Sequence, residues 1–175
     1  MSLPTTRSAT AGDQLHDWIF AGRSAADARA REEEQFATTG AVLMGRPMLD
    51  LGLGPWGDDP TFHAPVIVVT HRAAEPIVKH GGTTYTFVTD GPDATLQRAR
   101  DAAGDQHICV AGGAPVVQHY LRAGAIDELR LHLVPILLHG GVRLFGEDAP
   151  HAELTLQPGV SAEAGVVHLR YHVGG

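Results

Sequence analysis

The chain has a single cysteine, Cys109, in 175 residues. An internal disulfide is therefore excluded, and a reducing compartment is expected. Cys109 stands inside an apolar run, Ile108 to Ala111, which suits a buried, inert thiol better than a nucleophile. Lysine is almost absent too: Lys79 is the only one, and the other basic side chains are arginines. An anionic ligand would therefore meet a guanidinium fork. The net charge of -7 argues against a nucleic-acid surface, which needs clustered cations. No apolar run reaches the roughly 20 residues of a membrane helix. No secretory leader is legible at the N-terminus, so the expected location is cytoplasmic. Eleven histidines invite a metal reading, but there is no H-E-x-x-H and no cysteine pair. His168 and His172 lie in a strand-like segment, where four residues span about 13 Å, too far to share an ion. No G-x-S-x-G elbow is present, which argues against nucleophilic hydrolysis.

What is present is a hydrophobic content of 43%, ample for a core. We read residues 1–14 as a flexible lead-in and 15–175 as one domain. Ser24 to Phe36 predicts a helix, with Ser24 or Asp27 as its cap. Ala41 to Met44 and Pro65 to Thr70 are continuous apolar runs, the mark of strands buried on both faces. Pro47 to Leu51 predicts a helical turn or two, followed by a mobile loop from Gly52 to Ala64. Thr84 to Thr89 predicts a strand, and Ala94 to Ala103 a helix capped by Asp93. A strand follows at His107 to Ala111, then a helix at Val116 to Ala123. Glu128 to Leu138 predicts a further strand, and Ala152 to Leu156 with Gly165 to His172 a final antiparallel pair. Alternating strands and helices favour a mainly parallel sheet with helices on both faces.

Chemistry concentrates where strands end. Ligands of open α/β sheets bind beyond the carboxyl ends of the strands. Gly45 and Arg46 close the first strand. Thr70, His71 and Arg72 close the next, and together offer an anion clamp. Gly112, Gly113 and Ala114 separate a strand from a helix that begins near Pro115. Glycine permits close backbone approach, and the helix start offers free N–H groups to a phosphate. Three such ends point to an extended, multiply phosphorylated ligand such as a dinucleotide. Gly52-Leu-Gly-Pro-Trp-Gly57 spells G-x-G-x-x-G, but Pro55 and Pro60 forbid the helix that a dinucleotide fingerprint must open. Trp56 on that loop is a candidate wall for a flat substrate ring. Gly40 to Pro47 lacks the Lys-Ser/Thr pair of a triphosphate loop.

In combination, Ala41-Val-Leu-Met-Gly-Arg46, Pro65-Val-Ile-Val-Val-Thr-His-Arg72, Val110-Ala-Gly-Gly-Ala114 and Asp127 to Phe145 resemble the dihydrofolate reductase superfamily. The branch they resemble is the C-terminal reductase domain of RibD-type riboflavin-biosynthesis enzymes, over Leu15 to the C-terminus. The resemblance implies a three-layer α/β sandwich, with a central, mostly parallel sheet and an antiparallel C-terminal edge. It implies NADPH as cofactor. Gly45 and Arg46 would lie beside the phosphates, and Thr70, His71 and Arg72 at the ribose phosphate. Thr89 would lie near the adenine. Gly112, Gly113 and Ala114 would form the pyrophosphate turn, where the family often has a non-proline cis peptide. It also implies hydride transfer to a small heterocyclic substrate, of the ribosylaminouracil-phosphate or dihydrofolate kind, in a homodimer. Nucleic acid and membrane partners are not expected.

One departure stands out. Family members usually begin with a strand of the type S-x-D-G-x-I-A, and no such segment occurs in this chain. The family's acidic residue near the substrate has no evident counterpart, although Asp13, Asp17 and Asp50 are near in sequence. The alternative readings are an NADPH-binding protein of this fold without turnover, and a structural partner that binds no cofactor.

Overall fold

The computed structural model describes residues 13–21, 24–34, 38–146, 149–158 and 165–174. The expected lead-in as far as residue 12, and the helix end expected at Phe36, lie outside them. A 3-10 turn (Asp13–His16) leads into α1 (Asp17–Ala21) and α2 (Ala25–Glu34). Then come β1 (Thr39–Gly45), α3 (Arg46–Gly52), β2 (Pro65–Val69), β3 (Ile77–Val78) and β4 (Thr84–Val88). They are followed by α4 (Pro92–Ala103), β5 (His107–Gly112), α5 (Ala114–Arg122), β6 (Glu128–Leu133), β7 (Glu153–Leu156) and β8 (Val167–Gly174). Contacts divide the described residues into two units, those within 32–126 and 142–152, and those within 13–31, 127–141 and 153–174.

The larger unit is built on a five-stranded sheet in the order β3-β4-β2-β1-β5. β4, β2, β1 and β5 run parallel, and β3 is antiparallel at one edge. The unbroken apolar runs of β1 and β2 follow from burial on both faces. Ala41, Leu43 and Ile67 pack on one side against Ala99, Ala103 and Tyr120 of α4 and α5. Val42, Met44, Val66 and Val68 pack on the other against Leu49 of α3 and Phe62. Each fully buried Val, Leu or Met contributes about 1.5–3 kcal/mol. Helices, sheet, and helix with loop make three layers. Tyr120 ties α5 to the start of α4, its hydroxyl donating to the Pro92 carbonyl at 2.8 Å. Burial, reinforced by the charge of Asp93, pushes that phenol up to about 12.

Three details depart from the sequence reading. The N-cap of α4 is Gly91, with Pro92 in the first turn and no side-chain cap; Asp93 sits one residue inside the helix. Pro92 lacks an N–H and has the φ a first turn needs, so the helix starts there. β3 was not foreseen, because two residues show no periodicity. The loop after α3 is anchored rather than free: Lys79 donates to Asp58 at 2.7 Å, and the His63 N–H donates to Thr83 Oγ1 at 3.1 Å. The hydrogen bond and charge of Lys79 hold the Asp58 carboxyl below the usual range.

The smaller unit carries an antiparallel sheet in the order β6-β8-β7. The expected pairing of the last two strands is present, and β8 takes β6 on its other edge. The antiparallel C-terminal strands thus form a sheet of their own among the described residues. β6 ends at Leu133 and not at Leu138, because Pro135 has no N–H for a ladder and the Ile136 N–H turns back to the Val134 carbonyl. Glu128 accepts from Arg130 and Arg170, each at 2.6 Å. Burial raises the Glu128 carboxyl, but the two guanidinium hydrogen bonds outweigh it and leave a net lowering. Trp18, Ala30 and Val166 form this unit's core.

Candidate functional site

In the larger unit, four parallel strands finish side by side. In spatial order their ends bring Thr89, then Thr70, His71 and Arg72, then Gly45 and Arg46, then Gly112 and Gly113 along one edge. Every residue expected at the cofactor phosphates is on this edge. β5 lies on the far side of β1 from β2, so the strand order reverses there, at the kind of switch point beside which ligands of open α/β sheets bind.

The β1 and β5 ends meet closely. A Cβ on Gly45 would come within 3.0 Å of Val116 Cγ2, in the first turns of α5, and 3.9 Å of the Gly113 nitrogen. Glycine is what allows this approach. Gly112 has φ +113, a conformation that L side chains rarely adopt, and the Gly112–Gly113 peptide bond is cis. No atom lies within 4 Å of where a Cβ on Gly112 would stand, and a Cβ on Gly113 would meet only Pro115 Cδ at 4.0 Å. The turn therefore borders open space. Gly113 caps α5 through its carbonyl, accepting from Val116 at 3.0 Å, with no side-chain cap hydrogen bond at the helix start. Ala114 is the first residue of α5, where N–H groups have no intrahelical partner.

At the next end, the Thr70 hydroxyl accepts from the Arg72 N–H at 3.1 Å and donates to the Arg72 carbonyl at 3.4 Å. Thr70 is buried and its hydroxyl shapes the turn, while His71 and Arg72 are exposed. Thr89 is exposed as well. Arg46 is half-exposed; its Nε donates to Asp50 Oδ1 at 2.6 Å, and its guanidinium lies 5.2 Å from the centre of the Phe87 ring. Such an exposed pair is worth only about 0–1 kcal/mol, so a phosphate can compete for the arginine. Trp56 is half-buried and meets Phe62 edge to face at 4.9 Å, with its ring against Gly52. Cys109 is half-buried on β5.

Among the described residues, no group of three or more His, Cys, Asp or Glu could hold a metal ion. No described helix is long and apolar enough to cross a membrane. Sequence reasoning missed one polar cluster, in the smaller unit. Asp27 Oδ1 lies 2.9 Å from His168 Nε2, and His168 Nδ1 lies 2.7 Å from His132 Nδ1. Asp27 and His168 are 141 positions apart, so no local motif announces them.

Comparison with known proteins agrees with this geometry. The sequence profile of the RibD C-terminal domain matches residues 6–167. The uncharacterized protein YwjB of Bacillus subtilis (strain 168) is 33% identical over 86 residues, a match that covers 49% of this chain and only 48% of that protein. A Shewanella sp. PV-4 protein, provisionally described as a riboflavin biosynthesis protein, superposes with a TM-score of 0.67 at 23% identity, covering 91% of this chain and 88% of its own. A dihydrofolate reductase from Enterococcus faecalis, solved with NADP(H), superposes with a TM-score of 0.55 at 19% identity, covering 85% and 82%. These two likenesses show a shared α/β fold. With the profile match across nearly its whole length, the chain belongs to the RibD C-terminal domain family.

Proposed function

We propose that the larger unit binds NADPH across the ends of β4, β2, β1 and β5, and that the protein reduces a small heterocyclic substrate. The observation that carries this reading is the open Gly112–Gly113 turn, set directly on the start of α5, which has no side-chain cap, and beside the end of β1. A side chain at either glycine would fill that space, so the turn fits a group that must come close to the backbone. In this reading Gly112, Gly113 and Ala114 hold the pyrophosphate, flanked by Gly45 and Arg46. Thr70 shapes the turn that presents His71 and Arg72 to the ribose phosphate, where a guanidinium can bind in bidentate fashion. Thr89 serves the adenine end, and Trp56 the substrate. The bound cofactor would supply a hydride to a C=N or C=O carbon; the chain's share is to grip the phosphates and orient the ring. Membership of the family and a fold shared with a reductase solved with NADP(H) support the assignment.

The test is NADPH consumption, followed by nicotinamide absorbance. The protein is offered dihydrofolate and the ribosylaminouracil-phosphate precursor of riboflavin in turn. Loss of NADPH that depends on one of these acceptors is expected. NADPH binding with no acceptor-dependent loss would replace the enzyme by a cofactor-binding protein without turnover.

A further inference from the structure

The smaller unit buries acid–base groups that a plain apolar core would lack. Asp27 is 2% exposed and His168 8%. The Asp27 N–H donates to Ser24 Oγ at 2.9 Å, so Ser24 caps α2 and the Asp27 carboxylate is not needed there. That carboxylate reaches β8 instead, with Oδ1 2.9 Å from His168 Nε2. Its Oδ2 has no hydrogen-bond partner among the described residues, so His168 carries the compensation of a buried acid. His168 in turn stands directly opposite His132 in the ladder of β8 and β6, with the two Nδ1 atoms 2.7 Å apart. The Trp18 ring of α1 packs on both imidazoles, at 4.6 Å from His132 and 4.9 Å from His168. Three side chains thus tie α2 to β8 and β8 to β6, beside one indole.

These contacts limit the protons that the histidine pair can hold. Two Nδ1 atoms 2.7 Å apart need one proton between them. With none, two lone pairs face each other; with two, the N–H groups collide. The His168 Nε2 contact needs a proton of its own while the Asp27 carboxyl is ionised. The folded pair therefore accommodates one imidazolium and never two. That limit is set at the Nδ1 atoms, whatever group His132 meets at Nε2. An unfolded chain has no such limit, and each imidazole there takes its own proton at about pH 6.5. Below that pH the unfolded pair binds two protons and the folded pair at most one. Stability rises with pH wherever the unfolded state binds more protons, so this difference removes stability as the pH falls.

We propose that Asp27, His168 and His132 form an acid-operated latch, in which a second proton on the histidine pair parts the two rings and loosens α2 and Trp18 from the β6–β8 sheet. Other charged and titratable groups stand around it on each element. His16 and Asp17 are exposed at the start of α1, and Arg29 is exposed on α2. Along the same face of the ladder come Arg130 opposite Arg170, then Glu128 opposite His172. Glu128 accepts from both arginines, and His172 is exposed. Glu153 is exposed on β7. Exposed groups meet water in the folded and the unfolded chain alike, so the buried pair dominates the acid response of this sheet. The latch stands on this unit's geometry and does not depend on the cofactor reading.

The test uses the full chain, labelled with ¹⁵N, from neutral to mildly acid pH. Imidazole nitrogen shifts count the protons on His132 and His168, and hydrogen exchange of the β6 and β8 amides measures opening in the same samples. Below about pH 6.5 the opening equilibrium should rise by roughly tenfold per pH unit, as uptake of one proton on opening requires. A flat opening equilibrium would overturn the latch. So would two fully protonated rings in molecules whose β6 and β8 amides keep their protection; neither result relies on any variant. The triple variant Asp27→Leu/His132→Phe/His168→Phe replaces the cluster by apolar groups, an exchange that buried ion pairs often tolerate. Its opening should lose the acid dependence while the unaltered protein keeps it. An equally steep rise in both would place the acid response elsewhere and overturn the proposal.

Discussion

Along the strand ends of the larger unit, the ionisable groups are at the surface and the shaping is done by backbone. His71 and Arg72 are exposed, and the glycines at 45, 112 and 113 supply space. In the smaller unit the arrangement is reversed. Asp27 and His168 are inside, and side-chain hydrogen bonds join them. The first arrangement suits a large charged ligand that brings its own phosphates to free N–H groups and arginines. The second suits a fixed local structure, because hydrogen bonds are stronger in the low dielectric of an interior and unpaired groups there are costly. The difference also predicts where damage will fall. Substitution at the strand ends should cost affinity and little stability, while substitution in the buried cluster should cost stability first.

The largest effect should come from His168→Phe, which leaves Asp27 buried with no described partner for either oxygen. Removing one member of a buried pair costs about 3–5 kcal/mol, measurable by denaturant unfolding. The double variant Asp27→Leu/His168→Phe should recover part of that loss, and a loss equal to the single variant's would mean that packing, not charge, decides it. Next in size is Gly113→Val, which places a branched side chain in the open space before α5. NADPH affinity should fall about a hundredfold, roughly 2.7 kcal/mol, in a protein that still unfolds cooperatively. Retained affinity would remove the pyrophosphate turn from the account. Arg72→Ala follows. A lost charged hydrogen bond is worth about 1.5 kcal/mol, so NADPH should weaken about tenfold with NADH nearly unchanged. An equal loss of both would mean that Arg72 does not read the extra phosphate. The smallest change is Asp50→Asn, which frees Arg46 from its 2.6 Å partner and should tighten NADPH a few-fold in a calorimetric titration.

The same contrast explains what the sequence could reveal. β1 and β2 were legible because Ala41 to Met44 and Pro65 to Thr70 are unbroken apolar runs, which only a doubly covered strand requires. The strand-end positions were legible because glycine and proline punctuate them, at Gly45 to Pro47 and at Gly112 to Pro115. Local signals could not assign the start of α4, where Pro92 and Asp93 compete and proline's fixed φ prevails. They could not stop β6 at Leu133, since Val134, Ile136 and Leu137 prolong the apolar pattern past Pro135. The Asp27–His168–His132 cluster was invisible for a different reason. It joins α2, β6 and β8 across long stretches of chain, and Asp27 in a first helical turn looks like a cap. The only hint was a histidine in each of two strand-like segments, and no spacing rule pairs them.

The central claim is that the strand ends hold NADPH and read its ribose phosphate. The most direct measurement is a titration of the purified protein with NADPH and with NADH, followed by nicotinamide fluorescence. The account predicts saturable binding of NADPH, with NADH weaker by about tenfold or more, as the loss of one charged phosphate contact implies. Equal affinity for the two, or no binding of either, would contradict it.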